Sequence, residues 1–157
     1  MTARILVAGI GNVFLGDDGF GVEVARHLAA LPLPPDVVVR DVGIRGVHLA
    51  YELADGWDLL VFVDAVSRGG PPGTLHVLEP QGDRAIFARD AHGMDLDGIL
   101  ATARSLGAPP CAVIVVGCDV LDVAEGIGLS PAIQAAVPEA ARTILALVAQ
   151  GMPASPR

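Results

Sequence analysis

The sequence contains two carboxylates and one imidazole whose surroundings suit a divalent metal site: Asp18, Asp64 and His92. Asp18 lies in a glycine-rich segment after the first apolar run, Asp64 ends the segment DLLVFVD, and His92 lies in a loop before a helical pattern. Such a set of oxygen and nitrogen ligands suits a divalent transition metal that keeps open coordination positions. The sequence has no local motif such as HExxH, so only the tertiary structure can bring the three side chains together.

These residues and two further acids also have purely structural interpretations. Asp64 can accept hydrogen bonds from the amides of the following turn, and His92 can be a solvated or helix-capping residue. Asp41, near the end of the second strand, either orients a ligand residue or closes the turn at Gly43. Asp17 is expected to cap the first helix or to interact with its dipole.

The cysteines and serines do not indicate a nucleophile. Cys118 follows an apolar run with no neighbouring base or cation to lower the pKa of its thiol, so we expect a buried or inert side chain. No serine lies in a GxSxG context with recognisable His and Asp partners. Cys111 and Cys118 do not form a CxxC pair, which argues against a thiolate zinc site and is typical of a reducing cytoplasm.

The spacing of apolar residues predicts alternating strands and helices that would position these side chains. Strands are expected at residues 4–9, 37–42, 58–64 and 112–116, with an edge strand at 74–78. Helices are expected at residues 18–30, 47–54, 95–106 and 131–149. The predicted fold is a three-layer α/β sandwich, with a mostly parallel twisted sheet of about five strands flanked by helices. Residues 1–150 would form one domain and residues 151–157 a flexible tail.

In an open parallel sheet, the carboxyl ends of the strands border the ligand crevice. Asp18 and Asp64 both come after predicted parallel strands, so we expect them on the same edge. The same turn also offers the beginning of a GxGxxG nucleotide motif at Gly9 and Gly11. Phe14 occupies the place of the third glycine, and the acids would repel a pyrophosphate, so a dinucleotide site is disfavoured.

The composition limits the partners and the location of the protein. Ten basic residues, all of them arginine, stand against 18 acidic ones, giving a formal charge of −8. That balance disfavours nucleic acid or an anionic membrane as a partner. No signal peptide or apolar run of about 20 residues is visible, and a cytoplasmic protein is expected. Aromatic residues make up only 4%, which favours a monomer over a dimer with a large apolar interface.

Four segments together resemble the nickel–iron hydrogenase maturation endopeptidases. AGIGNVFLGDDGFGVEVA is similar to their amino-terminal signature, and DVGIRGVHLAYEL to their second-strand-to-helix segment. LLVFVDAVSRGGPPGTL resembles their third strand and its glycine- and proline-rich loop. VVGCDVLDVAEGIGLSPAIQAAVPEA resembles their last strand, loop and helix. The resemblance spans about residues 4–145.

This resemblance implies an activity and a site. Members of the family remove a carboxy-terminal extension from a hydrogenase large-subunit precursor after nickel has entered it. Their metal ligands would correspond to Asp18, Asp64 and His92, with Asp41 or Asp17 available to take a proton or to orient His92. The metal would be nickel belonging to the precursor, with no organic cofactor. An alternative is a non-catalytic metallochaperone or assembly factor that binds the large subunit without cutting it.

Overall fold

A computed structural model gives the fold of the chain and describes residues 3–79 and 96–150. The strands in chain order are β1 (Ile5–Ile10), β2 (Val37–Gly43), β3 (Leu59–Val66), β4 (Leu75–Leu78) and β5 (Ala112–Asp119). The α-helices of the described residues are α1 (Phe20–Ala29), α2 (Gly46–Leu53), α3 (Leu96–Ser105) and α4 (Pro131–Ala149). A single 3-10 turn, Gly16–Gly19, leads into α1.

The strands form one sheet in the order β2-β1-β3-β5-β4. β1 pairs in parallel with β2 and β3, and β3 pairs in parallel with β5. β4 is the antiparallel strand at one edge. The predicted fold class and the predicted edge strand are therefore confirmed. Because four strands are parallel, their carboxyl ends lie along one edge of the sheet.

Both faces of the sheet are covered, which explains why its central strands are apolar throughout. Alternate residues of the strands, among them Val7, Val61 and Val116, pack with α1 and α4. The residues between them, among them Leu60 and Val115, pack with α2 and α3. The hydrophobic core thus has two parts, one on each side of the sheet, and together with the sheet they make three layers.

Most predicted boundaries differ from those of the structure by one to three residues, and two of these differences have a clear structural reason. β5 continues through Asp119 instead of ending at residue 116, because both β3 and β4 hydrogen-bond with its last residues. α1 begins at Phe20 instead of residue 18, because the acidic pair lies in the preceding 3-10 turn. The predicted start of the third helix at residue 95 and the predicted tail at 151–157 lie outside the described residues.

Among the described residues, the helix α4 is long and apolar enough to cross a membrane, judged by length and composition alone. Core helices of globular domains meet the same criterion. Glu139 and Arg142 interrupt its apolar residues, so the segment is not an unbroken apolar run. One side of α4 packs into the core, through Ile133, Ala136, Val137, Ala140, Ala141, Ile144 and Val148.

The start of α1 lies directly against the carboxyl end of the sheet because two glycines leave room for it. A side chain at Gly9 would collide with the carbonyl oxygen of Gly21. One at Gly21 would collide with the carbonyl oxygens of Val63 and Ile10. Glycine is needed at both positions because these neighbours are backbone atoms, which cannot move away by a change of rotamer as side-chain atoms can. This close packing places the Gly16–Gly19 turn over the ends of β1 and β3.

The Gly21→Ala variant is expected to lose about 2–3 kcal/mol of unfolding free energy, since the added carbon forces α1 away from the sheet. Urea unfolding followed by circular dichroism measures this loss. Gln134→Ala, an exposed change on α4, is the control and should shift stability by less than about 0.5 kcal/mol. Equal stability of Gly21→Ala and the parent chain would contradict this packing argument.

Candidate active site

Asp18 lies in the 3-10 turn that follows β1, with 9% of the residue exposed. Its Oδ2 accepts a hydrogen bond from the amide of Asn12 at 2.8 Å, which fixes the direction of the carboxylate. Residues of this turn approach residues of β3 within 8 Å between Cα atoms. The predicted first acid is therefore held against the carboxyl edge of the sheet.

Asp64 lies near the end of β3 on the same edge, and only 5% of the residue is exposed. Its Oδ1 accepts a hydrogen bond from the amide of Ala65 at 2.8 Å. Ala65 still belongs to β3, so this bond is not one to the amides of the following turn. It orients the carboxylate, which is compatible with a ligand role. The structure thus brings the segments that carry Asp18 and Asp64 to one edge, as the crevice rule predicted.

The other predicted site residues are placed differently. His92 lies outside the described residues, and the described part of the chain contains no group of three metal-ligating side chains. Asp41 lies on β2 beside Gly9 of β1, near the same edge. Its half-exposed carboxylate is 3.5 Å from Nε of Arg26 on α1. Asp41 is therefore part of a surface ion pair.

Asp17, the neighbour of Asp18, ties two distant parts of the chain together. Its carboxylate accepts the amides of Leu121 at 3.1 Å and Asp122 at 2.9 Å. It also accepts the amide of Ser130 at 2.6 Å and the hydroxyl of the same residue at 2.8 Å. The prediction that Asp17 caps α1 is wrong, because Gly19 occupies that N-cap position and makes no side-chain cap hydrogen bond.

The four donors around Asp17 stabilise its charged form, although the residue is 1% exposed. Burial raises the pKa of the Asp17 carboxyl, but the hydrogen bonds from Ser130, Asp122 and Leu121 outweigh it, and the pKa lies below the ordinary 3.8. Because its hydrogen-bonding capacity is used here, Asp17 is unsuited to moving a proton or holding His92. It positions the 120–130 loop against the turn that carries Asp18.

The Asp17→Asn variant is expected to lose about 2 kcal/mol or more of stability at pH 7, because an amide NH₂ would face backbone donors. The folded-state pKa of Asp17 is the lower one, so its stabilisation is complete above the unfolded value of 3.8. It is lost as pH falls through the folded-state pKa. The free energies of unfolding of the variant and the parent chain, measured with urea from pH 7 to pH 2.5, should therefore converge in acid. Asp55→Asn, an exposed change, is the control; a gap independent of pH would contradict this role.

Another buried acid and its partner were not among the residues predicted from the sequence. Asp119 ends β5, is 3% exposed, and has Oδ2 2.7 Å from Nε2 of His76 on β4. His76 lies on the edge strand β4, and its side chain is 22% exposed. The signal that could have found the pair is the position of Asp119 after an apolar run, which is the pattern that identified Asp64.

Cys118 is buried, as predicted, and is not a nucleophile. Burial raises the pKa of its thiol to about 12, with the nearby charges of Asp119 and Asp17 acting in the same direction. A thiolate would therefore be very scarce near neutral pH. The burial predicted for Cys118 is confirmed.

A cleft of about 400 Å³ opens beside the Asp18 turn, between the 12–15 and 125–127 segments. Asn12, whose amide holds the Asp18 carboxylate, lines it together with Phe14 and Ile127. Phe14 is 64% exposed and Ile127 is 81% exposed. Backbone hydrogen bonds from Gly126 to Phe14 and from Gly16 to Gly126 join the two segments. The cleft is thus a fixed, partly apolar surface adjoining a predicted metal ligand.

Comparison with known proteins gives consistent similarities along nearly the whole chain. A sequence profile described as hydrogenase maturation protease matches residues 22–147. The chain is 33% identical over 159 residues to the hydrogenase 2 maturation protease of Escherichia coli, covering 98% of this chain and 96% of that protein. The solved hydrogenase maturating endopeptidase HybD of E. coli matches with a TM-score of 0.82 at 31% identity, covering 94% and 93% of the two chains. HycI of Thermococcus kodakarensis KOD1 matches with a TM-score of 0.76 at 28% identity, again covering 94% and 93%.

Proposed function

The chain belongs to the hydrogenase maturation protease family, and we propose that it removes a carboxy-terminal extension from a nickel–iron hydrogenase large-subunit precursor after nickel insertion. The family identity supports an endopeptidase. The observation that carries the finer proposal is the convergence of Asp18 and Asp64, two nearly buried carboxylates, at the carboxyl edge of the sheet.

Nickel carried by the precursor is the proposed target of these carboxylates. Asp18 and Asp64 supply oxygen donors, and His92 would supply an imidazole nitrogen, a combination that divalent transition metals accept. The amides of Asn12 and Ala65 orient the two carboxylates before any metal arrives. Contact with nickel would let the protease distinguish a loaded precursor from an empty one.

The proposed cleavage uses water as the nucleophile. Bound nickel would polarise the scissile carbonyl or lower the pKa of a water molecule. Asp18 and Asp64 would hold the loaded end of the precursor at the edge of the sheet, and their burial limits competing solvent. The buried Cys118 thiol does not offer an alternative nucleophile. Asp41, near the same edge, remains a candidate for accepting a proton or orienting His92.

The cleft beside Asp18 suits the polypeptide part of such a substrate. Its exposed Phe14 and Ile127 offer apolar contact, and its lining residue Asn12 adjoins Asp18. A peptide bound in this cleft would therefore lie next to the turn that carries Asp18.

We further propose that the enzyme is cytoplasmic and monomeric and that it needs no organic cofactor.

Asp18→Asn and Asp64→Asn are each expected to slow processing about 100-fold or more, because each removes a charged ligand. His92→Ala should have the same effect. Each variant is mixed with nickel-loaded and nickel-free large-subunit precursors, and intact mass is followed over time. The exposed change Asp55→Asn is the matched control and should process normally. Normal processing by all three site variants would contradict the proposed metal contact.

The same assay with the parent chain separates the proposed activity from its alternatives. Loss of a carboxy-terminal fragment from only the loaded precursor supports both proteolysis and nickel sensing. Cleavage of both precursors supports proteolysis without nickel sensing. Precursor that binds tightly but keeps its full length favours the assembly-factor interpretation.

Asp41→Asn is expected to slow processing about tenfold if Asp41 takes a proton or orients His92. Arg26→Gln breaks the same surface ion pair without removing the carboxylate, and should leave the rate unchanged. Comparing the two processing rates, with stability measured in parallel, tests the role of Asp41. Equal rates in both variants would restrict Asp41 to the ion pair.

A further inference from the structure

Asp119 is a buried carboxylate to which the proposed cleavage assigns no role. Burying a carboxylate is costly unless hydrogen-bond donors surround it. Its Oδ1 accepts the amide of Arg68 at 2.7 Å, and its Oδ2 lies 2.7 Å from Nε2 of His76. The amide of Gly70 donates to the same carboxylate. Two of these donors belong to residues 67–74, here called the β3–β4 loop, and the third belongs to β4.

The main chain of Asp119 holds the far end of the same loop. Its amide donates to the carbonyl of Thr74 at 3.0 Å, and its carbonyl accepts the amide of Gly73 at 2.8 Å. Gly70 is packed so closely that a Cβ there would lie 2.6 Å from Oδ2 of Asp119. The end of β5 therefore binds the β3–β4 loop at both of its ends and near its middle.

This loop begins next to Asp64. Gly117 on β5 is aligned with Asp64 on one side and with His76 on the other. Aligned residues of neighbouring strands project from the same face of a sheet, so Asp64 and His76 share one face. Their backbones are two strand spacings apart, about 10 Å. The His76 side chain is 22% exposed, so its ring reaches the surface on the face of the sheet that also carries Asp64.

We propose that Asp119 and His76 are positioning residues that hold the β3–β4 loop in one conformation, as a docking surface for the precursor at the edge of the sheet that carries Asp64. This inference rests on the proposed function. Neither residue touches the reacting atoms. A docking surface that is already ordered reduces the entropy lost when the substrate binds. Releasing it should therefore raise KM more than it lowers kcat.

Trypsin provides a test of the loop that is independent of processing activity. Arg68 is exposed, and the bond after it lies inside the loop that Asp119 holds. Cleavage after Arg68 is expected to be about tenfold faster in His76→Phe and in Asp119→Asn than in the parent chain. Cleavage after Arg104, an exposed residue of α3, is the internal reference for global unfolding and should not change.

The processing assay supplies the second measurement. His76→Phe removes the donor to Asp119, and we expect KM to rise about fivefold or more while kcat stays within about twofold. His76→Gln retains a donor and should restore both constants to within about twofold of the parent values. His48→Phe and His48→Gln, on the exposed side of α2, are the matched controls and should leave both constants unchanged.

Several results would overturn this assignment. Unchanged trypsin cleavage after Arg68 in both His76→Phe and Asp119→Asn would show that the pair does not hold the loop. A released loop with unchanged KM, or a fall in kcat alone, would remove its role as a docking surface. If Asp119→Asn does not fold, His76→Phe decides the question. If the parent chain processes no precursor, the proposed function fails and the docking role of the loop with it, while trypsin still tests the loop contact.

Discussion

The buried carboxylate of Asp17 is the interaction on which the arrangement at the carboxyl edge of the sheet depends. It accepts hydrogen bonds from Leu121, Asp122 and Ser130, which lie more than a hundred residues further along the chain. The 120–130 loop and the start of α4 are thereby attached to the 3-10 turn. Since Asp18 is the next residue in that turn, this attachment also holds the backbone from which its carboxylate projects.

Asp119 follows the same physical principle on the other side of β3. A carboxylate removed from water must be surrounded by donors, and the nearest donors are loop amides that have no partner in a helix or strand. Each buried acid therefore orders the loop whose amides it binds. Asp17 orders the 120–130 loop, and Asp119 orders the β3–β4 loop. Both loops are thus held by a buried charge and its hydrogen bonds at the carboxyl edge of the sheet.

Asp17 and Asp18 show that residue type alone does not determine the role of an acidic side chain. Both are acids in one turn, and both are nearly buried. Asp17 binds four protein donors, which is a structural role, whereas the Asp18 carboxylate is oriented by the amide of Asn12 beside an open cleft. The two residues are of the same type and adjacent, so the sequence does not distinguish these roles. The distinction comes from which loop folds back onto the turn.

The sequence by itself determined the fold class, the edge strand and the convergence of Asp18 and Asp64. Unbroken apolar runs predict strands covered on both faces, and parallel strands place their carboxyl ends at one edge. These are consequences of local patterns and general topology. The partners of Asp17 and the pairing of Asp119 with His76 were decided only by the tertiary structure. Such contacts join residues far apart in the chain. Three of the four donors at Asp17 and three of the partners of Asp119 are backbone amides, which are the same for almost every residue type.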